Sequence, residues 1–173
     1  SGRLPVTYYK SVDQLPPFEE YDMKNRTYRY FEDEPLYAFG YGLSYTTFKY
    51  DKLELPSEIK AGEPVKVKVR ITNTGRMAGD EVVQLYLSDE QASTPRPKVQ
   101  LEGFDRVHLN AGESKTVEFE LSARQFSMID KNNLRVIEPG WFSVHVGGGQ
   151  PGAKGAITVS GRVNLSGDVV KIE

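Results

Sequence analysis

The chain has 173 residues, a formal net charge of −2 and no cysteine. This length suffices for one domain with its own core and an appendage, and it is short for two full domains. The net charge is too small to gather polyanions, so no nucleic-acid partner is expected, and the lack of cysteine excludes disulfides and thiolate chemistry.

Residues 1–44, which we call the front segment, show no sustained apolar period. Prolines interrupt every candidate helix, and carboxylates are scattered among the tyrosines. One strand is predicted, over residues 4–9, and a single strand cannot bury its apolar side unless another sheet accepts it. The front segment therefore needs a partner, and we expect that partner to lie outside this chain.

A basic and aromatic stretch occupies residues 26–31 of the front segment. Arg26 and Tyr28 lie in this stretch, but the carboxylates at residues 32–34 cancel the electrostatic field that phosphate binding requires. We therefore expect this stretch to form ion pairs and packing contacts between domains.

Residues 36–46, which we call the seam, are rich in aromatic side chains and glycine. Gly40 and Gly42 let the backbone turn where a Cβ would clash, and aromatic side chains at this density are costly to expose to water. The seam is therefore predicted to be a packed, ordered connection rather than a flexible tether. Tyr41, at its centre, is a candidate contact to another domain or to a sugar.

From residue 45 onward the pattern changes to apolar residues at every second position, which is typical of half-buried strands. In residues 65–71, valine and isoleucine alternate with lysine and arginine. Strands are predicted over residues 48–55, 65–71, 80–88, 99–107, 115–121, 134–137, 141–146 and 156–163. One helical turn, with Ser122 as its cap, is predicted over residues 122–126. Residues 45–173 are thus predicted to form an immunoglobulin-like antiparallel β-sandwich, so the fold class is all-β.

The two histidines, His108 and His145, lie far apart and have no carboxylate at a spacing that suits zinc or iron. No metal and no cofactor are therefore expected. His145 shares one face of its predicted strand with Trp141. Trp141 has two interpretations at this stage: its indole stacks on a sugar ring, or another part of the protein covers it.

Several short sequence motifs occur in a family-specific order. They are SGRLPVT at residues 1–7, FGYGLSYT at 39–46, VQLYLSD at 83–89, RP at 96–97, LEGF at 101–104, NAGES at 110–114 and EPGWF at 138–142. In this order the chain resembles the C-terminal part of the family 3 glycoside hydrolases, the β-glucosidase and β-xylosidase family, including its fibronectin type III-like domain. Ala38 departs from the family, which commonly has proline there.

The resemblance implies that residues 1–44 are the tail of an α/β sandwich domain and a linker, followed by a fibronectin type III-like β-sandwich. It also implies that the catalytic carboxylates lie upstream, in a barrel domain and the α/β domain. Glycosidic hydrolysis needs two carboxylates at a fixed separation, and no such pair is recognisable here. The chain alone is therefore expected to be inactive, with the parent polypeptide acting on an oligosaccharide.

The expected role is to scaffold and stabilise those upstream domains, which are the expected partners. No apolar run approaches the roughly 20 residues that cross a bilayer, so no membrane span is expected, and the family implies a periplasmic or secreted enzyme. The alternative function is a carbohydrate-binding or cell-surface adhesion module that uses the Trp141 and His145 face. A third hypothesis is that loops at residues 92–98 or 147–152 reach a neighbouring catalytic pocket.

Overall fold

The computed structural model describes residues 2–172, so Ser1 and Glu173, the outer limits of the two predicted domain ranges, lie outside the described residues. The front segment contains little regular structure. A 3-10 turn spans Val12–Gln14, and one helical turn, α1, spans Thr27–Tyr30. This extended and largely irregular character agrees with the prediction for the front segment.

The prediction of a regular strand over residues 4–9 is wrong. A single β-bridge joins Tyr8 to Tyr37, and backbone hydrogen bonds link Leu4 to Tyr41 and Gly40 at 2.9 and 2.8 Å. Pro5 has no N–H to donate, which prevents a continuous ladder. Within the described residues, the partner of residues 4–9 is therefore the seam of the same chain.

The sandwich consists of eleven strands and one further helical turn among the described residues. Their bounds are β1 Phe48–Glu54, β2 Glu58–Lys60, β3 Val65–Asn73, β4 Gly79–Asp89, β5 Gln100–Leu109, β6 Ser114–Leu121, α2 Ala123–Phe126, β7 Met128–Ile129, β8 Arg135–Ile137, β9 Gly140–Gly147, β10 Thr158–Ser166 and β11 Val170–Lys171. All eight predicted strands are present. Three short strands, β2, β7 and β11, were not predicted.

The strands form a three-stranded sheet in the order β1-β3-β6 and a five-stranded sheet in the order β2-β10-β9-β4-β5. A small sheet, β11-β8-β7, accompanies them. Every pairing is antiparallel except that of β2 with β10. The predicted all-β, antiparallel sandwich is confirmed.

The core lies between the two larger sheets. On β3, every second residue from Val65 to Ile71 is fully buried, while the lysines and arginine between them face water. Strands β4 and β9 supply the facing side with Val83, Leu85 and Val144. Because period-two alternation places all apolar side chains of a strand on one face, these residues close a continuous core.

Helix α2 connects β6 to β7, as predicted. The side chain of Gln125 accepts a hydrogen bond from the Ser122 backbone N–H at 2.6 Å and donates one to the Glu102 carbonyl at 2.9 Å. These bonds satisfy backbone groups at the start of the helix and fasten it to β5.

Candidate interdomain surface

A buried ion pair fastens the front segment to the sandwich. The Arg3 guanidinium donates to the Glu81 carboxylate and, at 3.0 Å, to the Gly42 carbonyl. Glu81 also accepts a hydrogen bond from the Tyr50 hydroxyl at 2.9 Å and is 2% exposed. We call Arg3, Glu81 and Tyr50 the Arg3 clip. Burial, with the Glu81 charge beside it, raises the pKa of the Tyr50 hydroxyl far above its usual value.

Two glycines let the front segment and the loop after β9 lie close to side chains of β4. A Cβ on Gly148, in the loop after β9, would lie 2.4 Å from Glu81 Oε1. A Cβ on Gly40 would lie 2.4 Å from Gln84 Oε1, and Gly40 also has a φ of +75° that favours glycine. A side chain at Gly148 or Gly40 would displace the end of the Glu81 or Gln84 side chain, respectively.

Tyr28 covers the outer face of the five-stranded sheet. Its ring stacks on Phe39 with centroids 4.1 Å apart and meets Tyr86 edge-on at 6.4 Å. Its hydroxyl accepts a hydrogen bond from the Leu101 backbone N–H at 3.0 Å. Burial accordingly raises the pKa of the Tyr86 hydroxyl. Tyr28 therefore joins the front segment to the sandwich within this chain.

Arg26 and Tyr41 make contacts within the front segment. The Arg26 guanidinium donates to the backbone carbonyls of Asp22 and Glu20 at 3.1 and 2.6 Å. Tyr41 packs against Tyr37 with ring centroids 5.0 Å apart. Arg26 thus holds its own loop in shape, and a role of either residue in contacting a sugar or another domain stays a prediction.

The front segment exposes many large apolar side chains. Of the seventeen large hydrophobic side chains that are exposed among the described residues, ten belong to the front segment. They are Val6, Tyr8, Val12, Leu15, Phe18, Tyr21, Met23, Leu36, Tyr37 and Leu43. We call these ten residues the apolar surface. Exposed apolar groups at this density are a common feature of surfaces that bind another protein part.

The seam is packed around residues 38–40 and exposed at Leu36, Tyr37, Leu43 and Tyr45. Ala38 is 8% exposed and Phe39 lies under Tyr28, whereas Leu43 is 77% and Tyr45 97% exposed. The predicted packed connection is therefore confirmed around residues 38–40 and wrong at Leu43 and Tyr45.

The Trp141 and His145 face lies on the outer side of β9, as the alternation predicted. The Arg162 guanidinium carbon lies 4.5 Å from the Trp141 ring centroid, and Glu90 holds Arg162 in an ion pair. A hydrogen bond of 2.7 Å joins His145 Nδ1 and the Ser160 hydroxyl. Burial lowers the pKa of His145, an effect that Glu90 opposes. One face of the indole is therefore already covered from within the chain.

The five site residues predicted from the sequence do not form one site. Arg26, Tyr28 and Tyr41 belong to the front segment, while Trp141 and His145 lie together on β9. Within residues 2–172 no cluster of three or more His, Cys, Asp or Glu side chains suits a metal ion. None of the helices in the same range is long and apolar enough to span a membrane.

The Arg3 clip was not predicted from the sequence, although the alternation on β4 contains a signal for one of its members. Glu81 has the same strand parity as Val83, Leu85 and Leu87, so the alternation places its carboxylate on the core face of β4. A carboxylate on a core face requires a cation or hydrogen-bond donors. The pattern identifies Glu81, but it does not identify Arg3, 78 residues away, as the partner.

The fold and these contacts together define a fibronectin type III-like β-sandwich preceded by a segment with many exposed apolar side chains. Residues 81–150 match the family model of the fibronectin type III-like domain. The chain is 41% identical to a "Beta-xylosidase" of Formosa agariphila, over 84% of this chain and 20% of that protein. It is 38% identical to a "Periplasmic beta-glucosidase" of Salmonella typhimurium, over 85% of this chain and 21% of that protein.

A solved structure gives the same result. A beta-D-glucoside glucohydrolase from Trichoderma reesei superposes with a TM-score of 0.82 at 28% identity, over 96% of this chain and 27% of that one. The chain therefore matches the C-terminal part of the family 3 glycoside hydrolases. It spans about a fifth of the length of the curated relatives.

Proposed function

We propose that this chain holds the catalytic domains of a family 3 glycoside hydrolase, a β-glucosidase or β-xylosidase, in one fixed arrangement. Two observations on the front segment carry the proposal. The Arg3 clip and Tyr28 fasten it to the sandwich, and the ten side chains of the apolar surface are nevertheless exposed. A segment of this kind transmits the position of the sandwich to whatever covers the apolar surface.

The partners in this proposal are the upstream barrel and α/β domains, which would carry both catalytic carboxylates and bind the oligosaccharide substrate. The chain by itself would then be inactive. A periplasmic or secreted location and a role in polysaccharide degradation belong to the same proposal, supported by the periplasmic β-glucosidase among the relatives.

Carbohydrate binding by the Trp141 and His145 face is the alternative, and it has less support. Arg162 already occupies one face of the indole and is held there by Glu90. A sugar that stacked on that face would have to displace a cation–π contact, which contributes about 0.5–1 kcal/mol at exposed sites.

The test uses the complete parent enzyme with charges introduced into the apolar surface. Phe18→Asp and Tyr21→Asp together should lower the melting temperature before they change KM, because a charge cannot be buried against the upstream domains without cost. Phe104→Asp is the matched control, since Phe104 is 69% exposed on β5, outside the front segment. An unchanged melting temperature with a selective rise in KM would contradict scaffolding.

A further inference from the structure

Residues 11–26 of the front segment form a closed loop, which we call the Phe18 loop. Its ends lie together, because the Tyr9 hydroxyl accepts a hydrogen bond from the Thr27 backbone N–H at 2.9 Å. Inside the loop, the Asn25 side-chain amide donates to the Gln14 carbonyl at 3.2 Å. A loop that is closed in this way has a defined shape of its own.

Arg26 anchors the backbone of the Phe18 loop at three carbonyl groups. Its guanidinium donates to the carbonyls of Pro17, Glu20 and Asp22 at 3.3, 2.6 and 3.1 Å. The first two carbonyls belong to the peptide groups that directly precede Phe18 and Tyr21. Because a guanidinium holds its donors in a rigid fork, these bonds fix the backbone from which the two aromatic side chains project.

Phe18 and Tyr21 are nevertheless 91% and 92% exposed. A buried aromatic side chain removes roughly 150–250 Å² of surface from water, and the isolated chain gains none of this stabilisation from either ring. Aromatic side chains on a fixed backbone, next to exposed carboxylates such as Glu19 and Glu20, have the composition of an interface with an aromatic centre and a polar rim.

We propose that Phe18 and Tyr21 are anchors that enter an apolar pocket on the upstream domains of the parent enzyme, and that Arg26 is the positioning residue that holds them in place for docking. The partner is assigned to those domains because the chain spans about a fifth of its relatives and matches their C-terminal part, so the pocket would lie in the remainder. A loop with a fixed backbone loses less conformational entropy on docking than a mobile one. This inference rests on the proposed function and adds to it which side chains dock and which residue prepares them.

The first test compares chymotrypsin cleavage after Phe18 and Tyr21 in the isolated 173-residue chain and in the complete parent enzyme, at a temperature at which both are folded. We expect cleavage to be about tenfold slower in the parent, because a side chain that occupies a pocket cannot enter the protease until the loop opens. Equal rates would overturn the inference. Protection of the isolated chain by cellobiose, or by an increase in its own concentration, would assign the anchors to a sugar or to a second copy and would overturn it as well.

The second test asks whether Arg26 acts through the two aromatic side chains. In the complete parent enzyme, Arg26→Met is introduced into the wild type and into the variant that carries Phe18→Ala with Tyr21→Ala, and the rate of irreversible thermal unfolding is measured. Arg26→Met should raise this rate about fivefold in the wild type and less than about twofold in the variant, because no anchor is left to position there. The same factor in both backgrounds would show that Arg26 acts independently of the anchors, and the inference would fail.

Two further variants separate the position of the donors from the charge. Lys24→Met is the matched control, because it removes an exposed positive charge from the same loop and leaves the Arg26 guanidinium in place, so the rate should change by less than about twofold. Arg26→Lys keeps the charge and loses the fork, so it should behave like Arg26→Met. If Arg26→Lys matches the wild type, the charge alone is sufficient and positioning through the three carbonyls is wrong.

Failure of this inference can be told apart from failure of the proposed function. If Phe18→Asp with Tyr21→Asp lowers the melting temperature of the parent while Arg26→Met acts equally in both backgrounds, scaffolding stands and the positioning role of Arg26 fails. If cleavage is equally fast in the isolated chain and the parent, and those aspartate substitutions leave the parent unchanged, the docking of the front segment fails together with the inference.

Discussion

The sandwich and the front segment have similar fractions of hydrophobic residues but use them in opposite ways. Of the 27 hydrophobic residues that are buried among those described, two, Phe31 and Ala38, belong to the front segment. The alternating strands of the sandwich direct apolar side chains to one shared interior. The front segment has no such period, so it packs against the surface of the sandwich and leaves ten large apolar side chains exposed. A segment without a repeating pattern can fold only against a partner.

The largest effect that separates the two regions is expected from deleting one aromatic ring in each. Phe142 on β9 is 2% exposed and meets Phe126 edge-on at 5.2 Å, so Phe142→Ala leaves a cavity and should lower the free energy of unfolding by about 3–5 kcal/mol. Phe18→Ala in the same isolated 173-residue chain is the matched control. Phe18 is 91% exposed there, so its removal should change the free energy of unfolding by less than about 0.5 kcal/mol. Denaturant unfolding measures both. Equal losses would contradict the contrast between the regions.

The next effect concerns the join between the regions. Arg3→Met leaves the Glu81 carboxylate buried without its guanidinium and should destabilise the join by about 3 kcal/mol. Hydrogen exchange of the Leu4 and Gly40 amides, which hydrogen-bond across the front segment, should accelerate before that of β3. The double variant Arg3→Met with Glu81→Leu should recover part of the loss, because replacing both members of a buried pair removes the uncompensated charge. If the double variant is worse than the single one, the Arg3 clip is not acting as an ion pair.

The smallest effect is a dependence on pH that belongs to the sandwich alone. Burial lowers the pKa of folded His145, so the folded state resists protonation. Its contribution to stability is complete above the ordinary histidine pKa of about 6.5 and is lost as the pH falls below that value toward the folded pKa.

The urea concentration at the unfolding midpoint should therefore decrease when the pH is lowered from about 7.5 to about 5.5, which spans the ordinary histidine pKa. The fall should be smaller in His145→Gln. His108→Gln keeps His145 and serves as the control. An identical fall in the wild type and His145→Gln would remove His145 as the cause.

How far the sequence predicts this molecule depends on whether the information is local. Residues 65–71 repeat every second position, and β3 follows from that period alone. Strands β7 and β11 have two residues each, which is too short for any period to be read. Tyr28 meets Leu101 across 73 positions, and no neighbouring residue signals that contact. The fold class was therefore predictable, whereas the join between the regions was predictable only at Glu81.

The Arg3 clip also constrains the order in which the chain is made and folded. A ribosome releases Arg3 before Glu81, which follows 78 positions later, and Gly148, which closes over the carboxylate, follows later still. Contacts between residues so far apart in sequence form late in folding. Until they form, exposed hydrophobic segments are prone to aggregate. If the proposed function holds, the upstream domains are made first and shield the front segment during this interval.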